Sequence, residues 1–169
     1  KDLRSLHKDI KSTIEKSEKN IEEIVSLFSF PSCFILGKGI GESIAREGAL
    51  KIKEISYIHA EGYSTSSLKH GPFALLEENF PVILIAPDNV YYSKSENAYE
   101  EIKSRHANII YITDKFDSTK ENLMQVSYNE SFQNFLCIIP LQLLAYRLSL
   151  SRGLNPDMPR NLAKVVTVE

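Results

Sequence analysis

Residues Gly37 to Pro72 read GKGIGESIAREGALKIKEISYIHAEGYSTSSLKHGP, and a short apolar run, CFIL at Cys33 to Leu36, stands directly before them. A brief continuous apolar run is the pattern of a parallel strand buried on both faces. The glycines at 37, 39 and 41 then supply a tight turn out of that strand. Beyond the turn, Ile44, Gly48, Ile52 and Ile55 recur at steps of four, four and three, which puts them on one face of a helix predicted over Glu42 to Ile58. Gly48 in the interior of that helix costs about 1 kcal/mol against alanine, so another element is expected to pack closely there. The opposite face carries Glu47, Lys51 and Glu54. Carboxylates and an ammonium one turn apart, beside a glycine-lined helix entrance and followed by a histidine, are parts suited to proton transfer on a small anion.

Working outward toward the N-terminus, Leu3, Leu6, Ile10, Ile14, Ile21, Ile24, Val25 and Phe28 follow a helical period interrupted around Ser17. This predicts one or two amphipathic helices, ended by Phe30 and Pro31. In the other direction, Gly62 to Lys69 reads as a loop, and Gly71-Pro72 as the start of a helix over FALLEE. Buried strands are predicted at Val82 to Ala86 and Asn108 to Thr113, with a weaker one at Leu123 to Val126. Asn97 to Arg105 reads as helix. Ser131 to Arg152 reads as a long apolar helix stopped by Gly153, with Pro140 either kinking it or marking its true start. Strands alternating with helices at this spacing indicate an α/β fold, a three-layer doubly wound parallel sheet.

The 169 residues fit one domain, in which about two-thirds of the unfolded surface is removed on folding. Hydrophobic content of 43% and charged content of 25% are ordinary for a globular chain. A net charge of −2 and a pI near 6.1 leave no overall field for nucleic acid or an anionic membrane, so any anion site is local. Cys33 and Cys137 lie inside apolar runs, which predicts reduced, buried thiols in a cytoplasmic protein. No apolar run approaching the roughly 20 residues of a membrane span is read, and no signal peptide. The first residue is lysine rather than methionine, which suggests a piece of a longer chain. The amphipathic N-terminal segment and the segment from Ser131 to Arg152 offer more apolar surface than one sheet face covers, so self-association is expected.

Each candidate residue also has an unremarkable explanation. Gly37-x-Gly39-x-Gly41 lacks dinucleotide spacing, and no acidic residue stands at the required distance, so a tight turn is the better reading. Glu47 and Lys51 at i, i+4 are explained by a surface ion pair. Glu54 alone reads as a solvated helix residue, His70 as a loop or helix-end residue, and the basic C-terminal segment as solvated chain. Ser64 to Ser67 either mimics a phosphate loop or is a polar surface loop.

Three sequence words raise the functional reading. EGALKIKEISYIHAE at Glu47 to Glu61, LKHGP at Leu68 to Pro72 and DMPRNLAKVVTVE at Asp157 to Glu169 resemble the second sugar-isomerase (SIS) domain of the glucosamine-6-phosphate synthase family, the glutamine:fructose-6-phosphate aminotransferases. The resemblance spans nearly the whole chain. It implies a single flavodoxin-like SIS domain over 1–169 with a catalytic tail at 155–169, and no metal or organic cofactor. It implies that Glu54 moves a proton between sugar C1 and C2, with Lys51 beside it. His70 assists ring opening from across a dimer interface, Lys164 forms an imine with the ketose carbonyl, and Arg160 and Ala163 lie at the substrate. Such an amine must lose its proton to attack, and nearby Arg160 and Lys51 favour its neutral form by like-charge repulsion.

The implied reaction makes glucosamine 6-phosphate from fructose 6-phosphate and glutamine-derived ammonia. The implied partners are a phosphosugar, a first SIS domain and a glutaminase domain of the same parent chain, and a second subunit. Ser67 stands where the family usually has Glu, and Val165 where it usually has Ser. The family's phosphate loop and its N-terminal cysteine nucleophile belong to the other two domains. Alternative readings are a stand-alone phosphosugar isomerase or deglycase, and a non-catalytic sugar-phosphate-binding module. A pure binding module has no reason to keep Glu54, His70 and Lys164 together.

Overall fold

The computed structural model describes residues 2–162. Helices α1 (Asp2–Glu18) and α2 (Ile21–Ser26) lead into β1 (Ser32–Gly37), α3 (Ile40–Ser56) and β2 (His59–Ser64). Two 3₁₀ turns, Thr65–His70 and Pro72–Leu75, precede β3 (Pro81–Ile85), α4 (Tyr92–Lys103), β4 (Asn108–Thr113) and β5 (Asn122–Gln125). Helices α5 (Gln133–Leu136) and α6 (Ile138–Ser151) complete the fold. The five strands form one all-parallel sheet in the order β2-β1-β3-β4-β5, the flavodoxin-like order.

The apolar runs are continuous because each central strand feeds two cores. Cys33, Ile35, Ile83, Ile85, Ile110 and Ile112 face a layer built from α2, α3 and α6. Phe34, Leu36, Val82, Leu84 and Tyr111 face the other way, toward Tyr99 and Ile102 of α4 and Leu68 of the first 3₁₀ turn. Chain travel reverses at the β1/β3 pair, and a right-handed crossover places α3 and α4 on opposite faces of the sheet.

Several boundaries differ from the sequence reading. The segment read as a loop from Gly62 begins inside β2, an edge strand paired on one side only, to β1. Its residues HAEGYS are largely polar because an edge strand has one neighbour and a wet outer side. The helix predicted over FALLEE is a four-residue 3₁₀ turn with no buried residue, and Phe73 and Leu76, only partly buried against the core, are too few to hold a longer helix in place. Helix α4 begins at Tyr92, ahead of the expected Asn97. The long C-terminal helix is two pieces, and Pro140 is the third residue of α6, within the first turn where a backbone N–H has no helical partner. Proline therefore marks the helix start and does not kink its middle.

The 19-residue span Gln133–Ser151 does have the length and composition of a membrane-crossing segment, contrary to the sequence reading. Its apolar content is used in the domain itself, since Leu136, Leu141, Leu144, Ala145 and Leu148 are buried in the core beside α3.

Two glycines let α3 approach its neighbours. A Cβ on Gly48 would lie 2.5 Å from Leu141 Cδ1, so α6 is the close-packing element expected there. A Cβ on Gly62 of β2 would lie 2.6 Å from both the N and Cα of Arg46, and helix backbone cannot rotate away as a side-chain tip can. Gly62→Ala is therefore expected to lower the urea midpoint by the equivalent of roughly 2–3 kcal/mol, the upper range for overpacking. Gly48→Ala should cost less, because Leu141 can move and alanine favours the helix.

Candidate functional site

The second half of α3 presents a cation between two carboxylates. Lys51 Nζ lies 2.9 Å from Glu54 Oε2 and 3.5 Å from Glu47 Oε1. Spacing pointed to the Glu47 pair, but the shorter contact is to Glu54, one turn further on. The hydrogen bond to Glu54, with the charges of Glu54 and Glu47, outweighs desolvation and raises the Lys51 pKa above the ordinary lysine value. Lys51 is thus a fixed positive charge at neutral pH.

Helix α3 ends where Tyr57 takes the left-handed conformation, φ 60° and ψ 19°. Glycine or asparagine is usual at such a helix end, and a bulky residue there costs roughly 1–2 kcal/mol. The side chain turns toward the C-terminal segment. Tyr57 Oη accepts the Arg160 backbone N–H at 2.8 Å, and the Arg160 guanidinium lies 4.2 Å from the Tyr57 ring centroid. Leu50, Lys53, Glu54, Tyr57, Arg160, Asn161 and Leu162 together line a groove of about 310 Å³. Two sequence words more than a hundred residues apart therefore meet on one surface.

His70 lies elsewhere. It is the exposed last residue of the 3₁₀ turn after β2, which Leu68 anchors in the core shared with α4. Lys69 ties the same turn to Glu101 of α4 at 2.8 Å. That is the layer opposite α3, and among the described residues no hydrogen bond or ion pair links His70 to Lys51, Glu54 or Arg160. Lys164 and Ala163 lie outside the described residues. Glu54 and Arg160 share one groove, Lys51 is tied to it through Glu54, and Tyr57, which sequence reasoning missed, joins them. The only signal for Tyr57 in the sequence was a helix ending without glycine or asparagine.

The glycine turn after β1 is covered. A Cβ on Gly39 would lie 2.5 Å from Tyr91 Cε2, so an aromatic ring sits against the backbone that a dinucleotide would approach. In the Ser64–Ser67 stretch Ser64 Oγ accepts from the Ser66 N–H at 3.4 Å, and Ser66 Oγ accepts from Lys38 Nζ of the glycine turn after β1. Among the described residues no cluster of three or more His, Cys, Asp or Glu side chains is arranged to hold a metal. Burial pushes the Cys33 thiol up to about 12 and the Cys137 thiol up further, so neither is a ready nucleophile.

The SIS domain family matches residues 26–152. A probable glutamine–fructose-6-phosphate aminotransferase (isomerizing) of Acanthamoeba polyphaga mimivirus is 54% identical over 164 residues, covering 95% of this chain and 27% of its own length. The glutamine–fructose-6-phosphate aminotransferase (isomerizing) of Aquifex aeolicus is 44% identical over 170 residues, covering 98% of this chain and 28% of its own. Among solved structures, the C-terminal domain of glucosamine-fructose-6-phosphate aminotransferase from Francisella tularensis superposes with a TM-score of 0.77 at 31% identity, over 89% of this chain and 45% of that one. A glucosamine-6-phosphate deaminase from Thermotoga maritima gives 0.75 at 29% identity, over 92% and 46%. The chain spans little more than a quarter of the curated relatives it matches. Its five-stranded parallel sheet and the breadth of the match agree, and the chain belongs to the SIS domain family.

Proposed function

We propose that this chain is the second isomerase domain of a glutamine:fructose-6-phosphate aminotransferase, which makes glucosamine 6-phosphate from fructose 6-phosphate and glutamine-derived ammonia. The observation that carries this reading is the docking of Arg160 at the end of the helix that bears Lys51 and Glu54. In the proposed reaction the Lys164 amine adds to the ketose carbonyl and water leaves, giving an imine; ammonia then adds at that carbon and displaces the Lys164 amine, so that the ammonia nitrogen stays on C2. Glu54 takes a proton at C1 and returns it at C2. Arg160 and Ala163 contact the sugar. Lys51, held protonated by Glu54 and Glu47, is not the amine that attacks.

His70 opens the sugar ring in the site of a second subunit. Its position on the layer away from Glu54 supports that arrangement, since a single chain leaves the two apart. Exposed Leu3, Phe135, Tyr146 and Leu150 on α1, α5 and α6 support a homodimer. The greater length of the relatives supports a parent chain with a first SIS domain and a glutaminase domain. Two buried, unreactive thiols support a cytoplasmic location.

The parent protein is expected to form glucosamine 6-phosphate from fructose 6-phosphate and glutamine. The isolated 169-residue chain is expected to form none, even with free ammonia, because the sugar phosphate would be held by another domain. Synthesis by the isolated chain would overturn the division of labour. The likeness to a deaminase favours one alternative, a deglycase or isomerase, and a parent that releases ammonia from glucosamine 6-phosphate without using glutamine would select it.

A further inference from the structure

Tyr57 occupies a strained backbone position that glycine would fill without penalty. Such outliers persist where the surroundings impose them, and they concentrate at functional sites. Core packing does not account for this one: Tyr57 is only partly buried and lies in neither hydrophobic core cluster. Its described contacts are with the C-terminal segment, the Arg160 backbone N–H on its hydroxyl and the Arg160 guanidinium over its ring. Among the described residues Arg160 forms no ion pair, and its described hydrogen bond and cation–π contact are both with Tyr57.

The segment leading to Arg160 is stiff on its own account. Gly153 takes a left-handed conformation that ends α6. Asn155 then accepts from the Asp157 N–H through its side chain at 3.0 Å and from the Met158 N–H through its carbonyl at 3.3 Å. Pro156 and Pro159 fix φ on either side. The same tyrosine walls the groove that Glu54 shares.

We propose that Tyr57 is a positioning residue: it docks the C-terminal segment on the end of α3 and so fixes Arg160 in the groove that Glu54 lines. The docking stands on the geometry alone, and its consequence for turnover rests on the function proposed above. Tyr57→Phe keeps the ring and removes the hydroxyl acceptor. Tyr57→Gly removes both contacts and relieves the backbone strain.

The test compares the full-length parent with both variants by hydrogen exchange of the peptide from Asn155 to Leu162, by thermal unfolding, and by kcat and KM. Docking predicts faster exchange in Tyr57→Phe and faster still in Tyr57→Gly. It also predicts that Tyr57→Gly keeps or raises the unfolding temperature while kcat falls by about tenfold to a hundredfold, the scale of a misplaced catalytic group. A merely structural tyrosine would lose stability and activity together and leave tail exchange unchanged. Wild-type exchange rates in Tyr57→Gly, or unaltered kcat despite faster exchange, would overturn the proposal. A wild-type parent that makes no glucosamine 6-phosphate would instead overturn the functional reading, and the exchange measurement would still decide the docking.

Discussion

Lys164→Arg in the full-length parent is expected to abolish borohydride trapping of fructose 6-phosphate while leaving sugar binding largely intact. Trapping reduces an imine, and an imine needs a primary amine that can shed its proton. Arginine preserves the positive charge, but its guanidinium stays protonated at any workable pH and offers no such amine. The guanidinium should be tolerated as a binding group for an anionic sugar but is useless as a nucleophile. Synthase turnover should fall below detection along with trapping. A Lys164→Arg parent that still forms the reduced adduct would remove Lys164 from the imine role, and another lysine would have to be sought.

The parts of the fold that were legible are those in which burial alone dictates residue type. β1, β3 and β4 lie between two cores, so nearly every position is apolar and the run stands out. The face of α3 read from Ile44, Gly48, Ile52 and Ile55 packs on the core, and its glycine meets Leu141 as the spacing implied. β2 was illegible because it is an edge strand, and its loss hid the position of His70. That strand carries the chain to the sheet edge, and the 3₁₀ turn after it folds beneath the face opposite α3. Lys51 and Glu54 could be paired by helical spacing because their contact is local. The contact of Tyr57 with Arg160 spans 103 residues, and no periodicity reports a contact of that range.

Glu54→Gln should separate the two halves of the chemistry. The amide keeps the shape of the side chain and an oxygen that can still accept from Lys51, and Glu47 remains as a second partner for that ammonium. What disappears is the base, so turnover is expected to fall about 10²–10⁴-fold, the usual contribution of a positioned general base. Imine trapping should persist, because in the proposed order Lys164 acts before the proton moves. Loss of trapping as complete as in Lys164→Arg would refute Glu54 as the later-acting base. His70→Ala should slow reaction of the closed-ring sugar more than that of an open-chain analogue, since only the former needs ring opening. Mixing the two impaired parents, assayed on the closed-ring sugar, then tests whether His70 acts across subunits. With free exchange, half the dimers pair one subunit of each kind, and each such dimer has one site with an intact Glu54 and a partner's intact His70. About a quarter of wild-type activity should return. If differently tagged subunits demonstrably exchange and no activity returns, His70 does not complete the partner's site, and its distance from Glu54 in the single chain must be closed by movement within that chain.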